Sequence, residues 1–463
     1  MQIRTLLLLC QTGFIIAAIL FTVASFRERE PRAPWMGFLG ALIFLILGIM
    51  LFKFDDTAWL SFIPGVFVCF LLFFLLPGSP DAKSIHGSMG YIAGEIKKND
   101  ERDIVFARNR SLPPGSDVYR RYYSDHPEKE ERDAKRRARG GPVGTVGAID
   151  REYRPNTAMI NANFMMPDIL GPFAEPGVTS AEPVSQLDAH RATDMVKGFA
   201  RHLGSDLVGI CKVNPQFMYS HRGEIFQNNW EDWGKKISDP LPYAVVIATE
   251  MEYKNVCTAP HTPTLLESAH NYAKGAFITT ILANWLSGMG YRAAAHHSRH
   301  YDMPLVPLAI DAGLGELGRF GYLIARKFGP RVRLFAVTTD FPLHPDQPID
   351  LGVNEFCKRC KKCADSCPSR SIPHGDKVVF MGIEKWKLKE ESCFDYWGKV
   401  GTDCSVCMAV CPYSRPNHSI HRLVRWILTY SATARFMFPY LDNLIYGKKW
   451  RSRKPAAWID PDA

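Results

Sequence analysis

Residues 357–412 hold eight of the chain's twelve cysteines, and their spacing constrains the fold more than any other feature. The first four read Cys357-x-x-Cys360-x-x-Cys363-x-x-x-Cys367-Pro368. The last three read Cys404-x-x-Cys407-x-x-x-Cys411-Pro412, with Cys393 a little upstream. A run of this kind lets one tight loop wrap three thiolates around an iron–sulfur cube while the fourth cysteine is carried to a second cube. One [4Fe–4S] cluster is therefore assigned to Cys357, Cys360, Cys363 and Cys411. A second is assigned to Cys367, Cys393, Cys404 and Cys407, with Cys393 standing in for the usual neighbour in the run. Zinc would suit four of these residues, but eight cysteines with two C-x-x-x-C-P ends divide more naturally into two cubanes. Disulfides would need an oxidising compartment and would not need this regularity.

At 463 residues the chain can hold more than one domain. Its start is very apolar. Ile3–Phe26, Trp35–Phe52 and Trp59–Leu76 are each long enough, at about 1.5 Å per residue, to cross about 30 Å of hydrocarbon. Trp35 and Trp59 sit at the ends, where interfacial aromatics belong. Residues 1–78 are thus expected to form an anchor of three transmembrane helices. A signal peptide cleaved near Val23-Ala24-Ser25 is the competing reading of the first run, and the other two would still anchor the protein. Arg27, Arg29, Arg32, Lys83, Lys97 and Lys98 fall on one side of the spans, against Arg4 and Lys53 on the other. This bias predicts a multi-pass inner-membrane protein whose large domain faces the cytoplasm. The net charge of +9 is concentrated partly in His126–Arg139, so it does not imply nucleic-acid binding. That run lies in an expected polar connector, residues 79–155, as a solvated helix or loop rather than a lipid-headgroup patch.

From about Asn156 the pattern turns α/β. Strands are predicted at Leu207–Ile210, Tyr243–Ala248, Val306–Ile310 and Val332–Thr338, with helices over Asp188–Leu203 and Thr264–Met289. Gly313-x-Gly315-x-x-Gly318 satisfies a dinucleotide fingerprint letter for letter. The strand after it runs toward the cysteine motif instead of to an acidic ribose partner, so a tight turn is expected. Asp188-Ala189-His190 opens like a cobalt-ligating DxHxxG motif, but Thr193 stands where glycine is needed. Asp188 and His190 are read as surface residues at a helix start, and Asn228–Trp233 as aromatics without a functional role.

Further blocks line up with these: Gly290-Tyr291-x-Ala293, Ala312-Gly313-Leu314-Gly315-Glu316-x-x-Arg319, Phe328-Gly329-Pro330-x-Val332-Arg333, Thr339-Asp340-x-Pro342-Leu343 and Cys393-x-x-Tyr396-Trp397. With both cysteine runs, they make the sequence resemble the reductive dehalogenases, closely from Tyr243 to Ser414 and loosely over Asn156–Pro242. Ser25-Phe26-Arg27-Glu28-Arg29-Glu30 and Trp35-Met36-Gly37-Phe38 are similar to that family's small, separate membrane-anchor protein with its Glu-x-Glu loop. The usual layout, a catalytic subunit exported by a twin-arginine signal, is not the one seen here.

The resemblance implies a nitroreductase-like α/β core, residues 156–350, holding base-off cobalamin with no protein ligand to cobalt. It implies a ferredoxin-like domain with two [4Fe–4S] clusters, residues 351–420, and a C-terminal extension, residues 421–463, packed on the core. Electrons pass through the clusters to the corrinoid, halide leaves an organohalide, and carbon takes a proton. Tyr272 matches the family's catalytic tyrosine. A phenol with a free pKa of about 10 keeps its proton at neutral pH yet can give it to a carbanion-like centre. Arg333 matches the cationic partner that stabilises phenolate. Ser298, with His296 and His297 beside it, falls where some members place an asparagine, and Trp397 matches a pocket-lining aromatic. Gly313 and Gly315 are expected in the cofactor-binding set with them. The electron donor would be a quinol, ferredoxin or flavodoxin, with no nucleic-acid partner. Two alternatives stand beside this: an epoxyqueuosine-reductase-like cobalamin enzyme, and a non-catalytic membrane-anchored ferredoxin-type carrier. The apolar spans and Tyr272 count against the first, and the long α/β stretch ahead of the clusters against the second.

Overall fold

In the computed structural model, residues 2–53, 72, 77–79, 81–140, 154–179, 187–237 and 240–460 are described. The core strands are β1 (Leu207–Lys212), β2 (Tyr243–Glu250), β3 (Ala293–His296), β4 (Gly315–Leu317), β5 (Leu323–Ala325) and β6 (Val332–Thr339). Four of them pair antiparallel in the order β1–β2–β6–β3, and β4 and β5 form a separate hairpin. β2 shows why the sheet is covered on both faces. Successive strand residues point to opposite sides, and all of Ala244 to Ala248 are buried. Val245 and Ile247 join Phe335 and Val337 of β6 in a core with Ile278 and Leu282 of the long helix Thr262–Gly288. Ala244, Val246 and Ala336 pack on the other side with Leu308 and Ile310.

β1, β2 and β6 lie where the apolar runs predicted. Val306–Ile310 does not: it lies in a helix, Leu305–Asp311. A short apolar run cannot be told from a buried helix by pattern alone. Here Pro304 caps the helix and Pro307 sits in its first turn, where no N–H is needed, whereas a central strand could not hold proline. β3, Ala-Ala-Ala-His, went unpredicted because alanine has little strand preference; pairing with β6 makes it a strand.

At the N-terminus α1 (Gln2–Arg27) and α2 (Ala33–Lys53) pack on each other. Both are long and apolar enough to cross a membrane, over Leu8–Arg27 and Ala33–Met50. The expected third span, Trp59–Leu76, lies outside the described residues apart from Leu72. The turn between α1 and α2 is docked on the rest of the chain through two buried carboxylates. Glu30 accepts hydrogen bonds from the Tyr253 hydroxyl at 2.9 Å and from Arg453 at 2.7 Å, and also pairs with Arg415. Glu28 meets His421 Nε2 at 2.9 Å. Burial alone would raise the Glu30 carboxyl, but Arg415, Arg453 and the Tyr253 hydroxyl together hold it below its usual range.

Two consequences follow for stability. Glu30→Ala leaves two buried guanidinium groups short of their anion, an effect of about 3–5 kcal/mol for a broken buried pair; a lowered melting midpoint in detergent checks it. A carboxyl depressed on folding stabilises fully above its unfolded pKa of about 4.3, and the gain is lost as pH falls through the lower folded value. Docking is therefore expected to weaken below about pH 4. The wild-type midpoint should fall there more steeply than that of Glu30→Gln.

Residues 81–140, expected as a connector, are folded onto the rest of the chain. The charged run forms a helix, Pro127–Arg139, whose inner face is buried at Asp133 and Arg136. Arg136 binds Asp133 at 2.6 Å, Glu391 at 2.7 Å and Asp395 at 2.8 Å. Glu391 and Asp395 stand four apart on Glu390–Val400, the helix that also carries Cys393. Spacing by four puts them on one face, so this run clasps a cysteine-bearing helix and only its outer face is solvated.

Candidate active site and cluster sites

The long helix approaches β6 unusually closely because Gly275 has no side chain. A Cβ there would fall 2.2 Å from the Phe335 ring. This approach sets Tyr272 beside Arg333, whose guanidinium carbon lies 5.3 Å from the centre of the Tyr272 ring. Arg333 is buried, and its Nη2 donates to Ser268 Oγ and, at 2.6 Å, to Asp403 Oδ2. Ser268 Oγ also donates to that carboxylate. Burial would weaken Arg333 as a base, but Tyr272 first and Asp403 next keep it in its charged form. Burial pushes the Asp403 carboxyl up, and Arg333 opposes that rise. Tyr322 completes the cluster, its hydroxyl driven upward by burial and by Cys393, with Arg333 opposing. Phe164 of helix Arg154–Leu170 covers Tyr272 from outside, ring centres 6.0 Å apart.

The cysteines separate into two groups. Burial pushes the Cys360 thiol up to about 12, with Cys357 beside it adding to the rise. Cys363 and Cys411 are raised by burial and then by Cys357 and Cys360. In the other group burial carries Cys393 to about 12, helped by Cys367. Cys407 is raised by burial and then by Cys404, Cys393 and Cys367. Cys363 also senses Cys407, so the groups adjoin. Among the described residues no three His, Cys, Asp or Glu side chains converge as a single metal ion would require; a cubane spreads its thiolates around a cage instead. Cys367, Cys393, Cys404 and Cys407 line one cavity with Tyr322, Arg333, Tyr396, Trp397 and Asp403.

Not every expected residue joins this site. Arg333 and Phe335 face the long helix, whereas His296, paired in register with Ala336, bonds Thr338 at 2.9 Å on the opposite face of the sheet. It is buried beside the half-buried Asp302 and His300, with the exposed Glu175 beyond, and burial lowers it to about 4. His297 and Ser298 follow the strand end; their Nε2 and Oγ atoms are buried without a partner among the described residues. Gly313 and Gly315 are needed for the chain's own packing. A Cβ on the first would come 2.4 Å from Gln347 O, and on the second 2.2 Å from Ile324 O. The block they open ends in Arg319, which donates to Cys357 O at 2.9 Å, Pro373 O at 2.8 Å and Lys358 O at 3.2 Å. Gly313 lies in a turn, and the rest of the GxGxxG runs through the first strand of a hairpin whose arginine pins the first cysteine loop. Asp188 caps a helix by accepting from His190 N and Arg191 N.

Sequence reasoning missed Asp403, Ser268, Tyr322 and Phe164. Asp403 carried a signal, standing directly before Cys404. Ser268 also carried one, four residues before Tyr272 and hence on the same helix face. Tyr322 and Phe164 carried none, since only the tertiary fold brings them in.

Residues 356–414 match the family model for a 4Fe-4S dicluster domain. The chain is 33% identical over 301 residues to the tetrachloroethene reductive dehalogenase of Sulfurospirillum multivorans, covering 58% of this chain and 59% of that one. It is 32% identical over 291 residues to that of Desulfitobacterium hafniense, covering 53% and 52%. It thus spans little more than half the length of these relatives. Among solved structures, the catabolic reductive dehalogenase NpRdhA in complex with 3-bromo-4-hydroxybenzoic acid superposes with a TM-score of 0.61 at 26% identity. That superposition covers 78% of this chain and 49% of that one.

Proposed function

We propose, for a chain that is a homologue of the reductive dehalogenases in sequence and in fold, that it is itself a membrane-anchored, cobalamin-dependent reductive dehalogenase. The observation that carries this reading is the placement of Arg333, between the Tyr272 ring and Asp403, with Asp403 next in sequence to Cys404. A proton-bearing side chain and a cysteine group thereby share one buried cation. The net reaction takes two electrons and one proton, replaces carbon–halogen by carbon–hydrogen, and releases halide.

The eight thiols fit two [4Fe–4S] clusters by number and grouping: Cys357, Cys360, Cys363 and Cys411 for one, Cys367, Cys393, Cys404 and Cys407 for the other. The unpartnered buried atoms of His297, Ser298 and Arg333 fit a polar cofactor in the nitroreductase-like core. Trp397 would line the same space. A corrinoid held there would supply a strongly reducing metal centre for the carbon–halogen bond. Tyr272 holds the proton that carbon receives. Arg333 stabilises the phenolate left behind, and Asp403 and Ser268 keep the guanidinium in place. Phe164 and the helix that bears it cover the phenol and restrict water. The chain is multi-pass in the inner membrane, faces the cytoplasm, and draws electrons from a quinol, ferredoxin or flavodoxin.

The test is halide release from aryl, alkenyl and alkyl halides by purified protein supplied with iron, sulfide, corrinoid and a strong artificial reductant. Release that depends on corrinoid is expected; a preparation that binds iron but never cobalt overturns the reading. Cys393→Ser checks the second cluster. Iron and acid-labile sulfide should fall to about half of wild type, since one cubane of two is lost.

A further inference from the structure

The last two helices, Ser419–Tyr430 and Ala432–Tyr446, are built inside out. In the second, the only charged side chains point inward. Arg435 binds Glu355 at 2.6 Å, Asp442 binds Lys362, and both are buried. The outward stripe, one residue in every four, is Phe436, Tyr440 and Leu444, exposed by 47%, 60% and 53%. In the first helix His421 and Arg425 are likewise buried while Leu423, Trp426 and Tyr430 are exposed, with Arg422 facing outward among them. Water disfavours so continuous an apolar surface, and such patches mark a contact surface. Its mixture of aliphatic residues with Trp and Tyr suits the boundary between lipid headgroups and acyl chains.

The surroundings of this hairpin identify what covers it. At one end the Tyr446 ring stands edge-on to Phe21 of α1, 6.4 Å between centres. At the other, Ser431 bridges to Pro77, and Gly78 N donates to Tyr430 O at 2.7 Å. The hairpin is thus strung between α1 and the residues that follow the last apolar run. Residues 448–454 beside it carry Lys448, Lys449, Arg451 and Lys454, all exposed, and no acidic residue, a charge complementary to anionic headgroups.

We propose that the exposed stripes of this hairpin lie in the surface of the bilayer that α1 and α2 enter, and so hold the catalytic domain at a fixed tilt against anionic lipid. The inference rests on reading α1 and α2 as an anchor. It puts the first cysteine group one layer from lipid: the second helix packs on Val353–Cys360, and Arg359 lies over the Phe436 ring at 5.0 Å.

The full chain in phosphatidylglycerol-containing vesicles tests it. A photocrosslinking benzoylphenylalanine is placed at Phe436 or Tyr440, aromatic for aromatic, or at Val378 as an exposed control outside the hairpin. Retention after an alkaline wash is scored separately. Retention with lipid adducts at 436 and 440 several-fold above those at 378 is expected. Retention with no such excess, or with crosslinks to residues 54–76 or to a second copy, overturns the inference and leaves the anchor standing. Loss of the protein from the vesicles removes the anchor and the inference with it.

Discussion

Tyr272→Phe is expected to lower halide release by about 10²–10⁴-fold, the range typical of a positioned general acid, while iron, sulfide and corrinoid contents stay at wild-type levels. The substitution removes only the hydroxyl. The ring stays between Phe164 and Phe335, 6.0 and 6.3 Å from them, so the fold has no reason to change. A variant that keeps near wild-type turnover would take Tyr272 out of the mechanism. One that loses its cofactors would show a packing role instead.

Arg333→Met is expected to have the next largest effect, and on two quantities at once. Asp403 would be left buried with only neutral side-chain partners, Ser268 and Ser405, an uncompensated charge of the kind that costs about 3–5 kcal/mol. The phenolate formed at Tyr272 would also lose its cation. Turnover should fall and the melting midpoint should drop. Arg333→Met combined with Asp403→Leu separates the two: stability should recover while turnover does not. Recovery of both would make the arginine purely structural. Arg333→Lys should restore less than the charge suggests, because one ammonium cannot reproduce a planar guanidinium that serves Ser268 and Asp403 while stacked on Tyr272.

Local pattern was enough for much of the fold. Strands β1, β2 and β6 and the long helix follow from runs of apolar residues whose spacing belongs to one kind of element. Where a run was short, as at Val306–Ile310, or its residues indifferent, as at Ala293–Ala295, pattern could not decide. The prolines settled the first and pairing with β6 the second. The charged helix Pro127–Arg139 read as solvated because composition cannot reveal that Asp133 has a buried partner in Arg108, or that Arg136 reaches Glu391 and Asp395, more than 250 residues away in sequence.

The same division runs through the site. Cysteine spacing alone marked a double-cluster segment, because the geometry of a cubane acts over a few residues of backbone. Tyr272 and Arg333 were legible only as positions in motif blocks; nothing near either residue names its partner. Their meeting depends on a helix drawn against β6 at Gly275, and Arg333's bond to Asp403 depends on the cluster loop returning to the sheet. The side of the sheet that His296 takes was hidden for a related reason: a strand residue's face is fixed by register, and register is a property of two strands. Covalent spacing and periodic apolarity are thus written in the chain itself. Which face a side chain takes, and what meets it there, was decided by packing between distant segments.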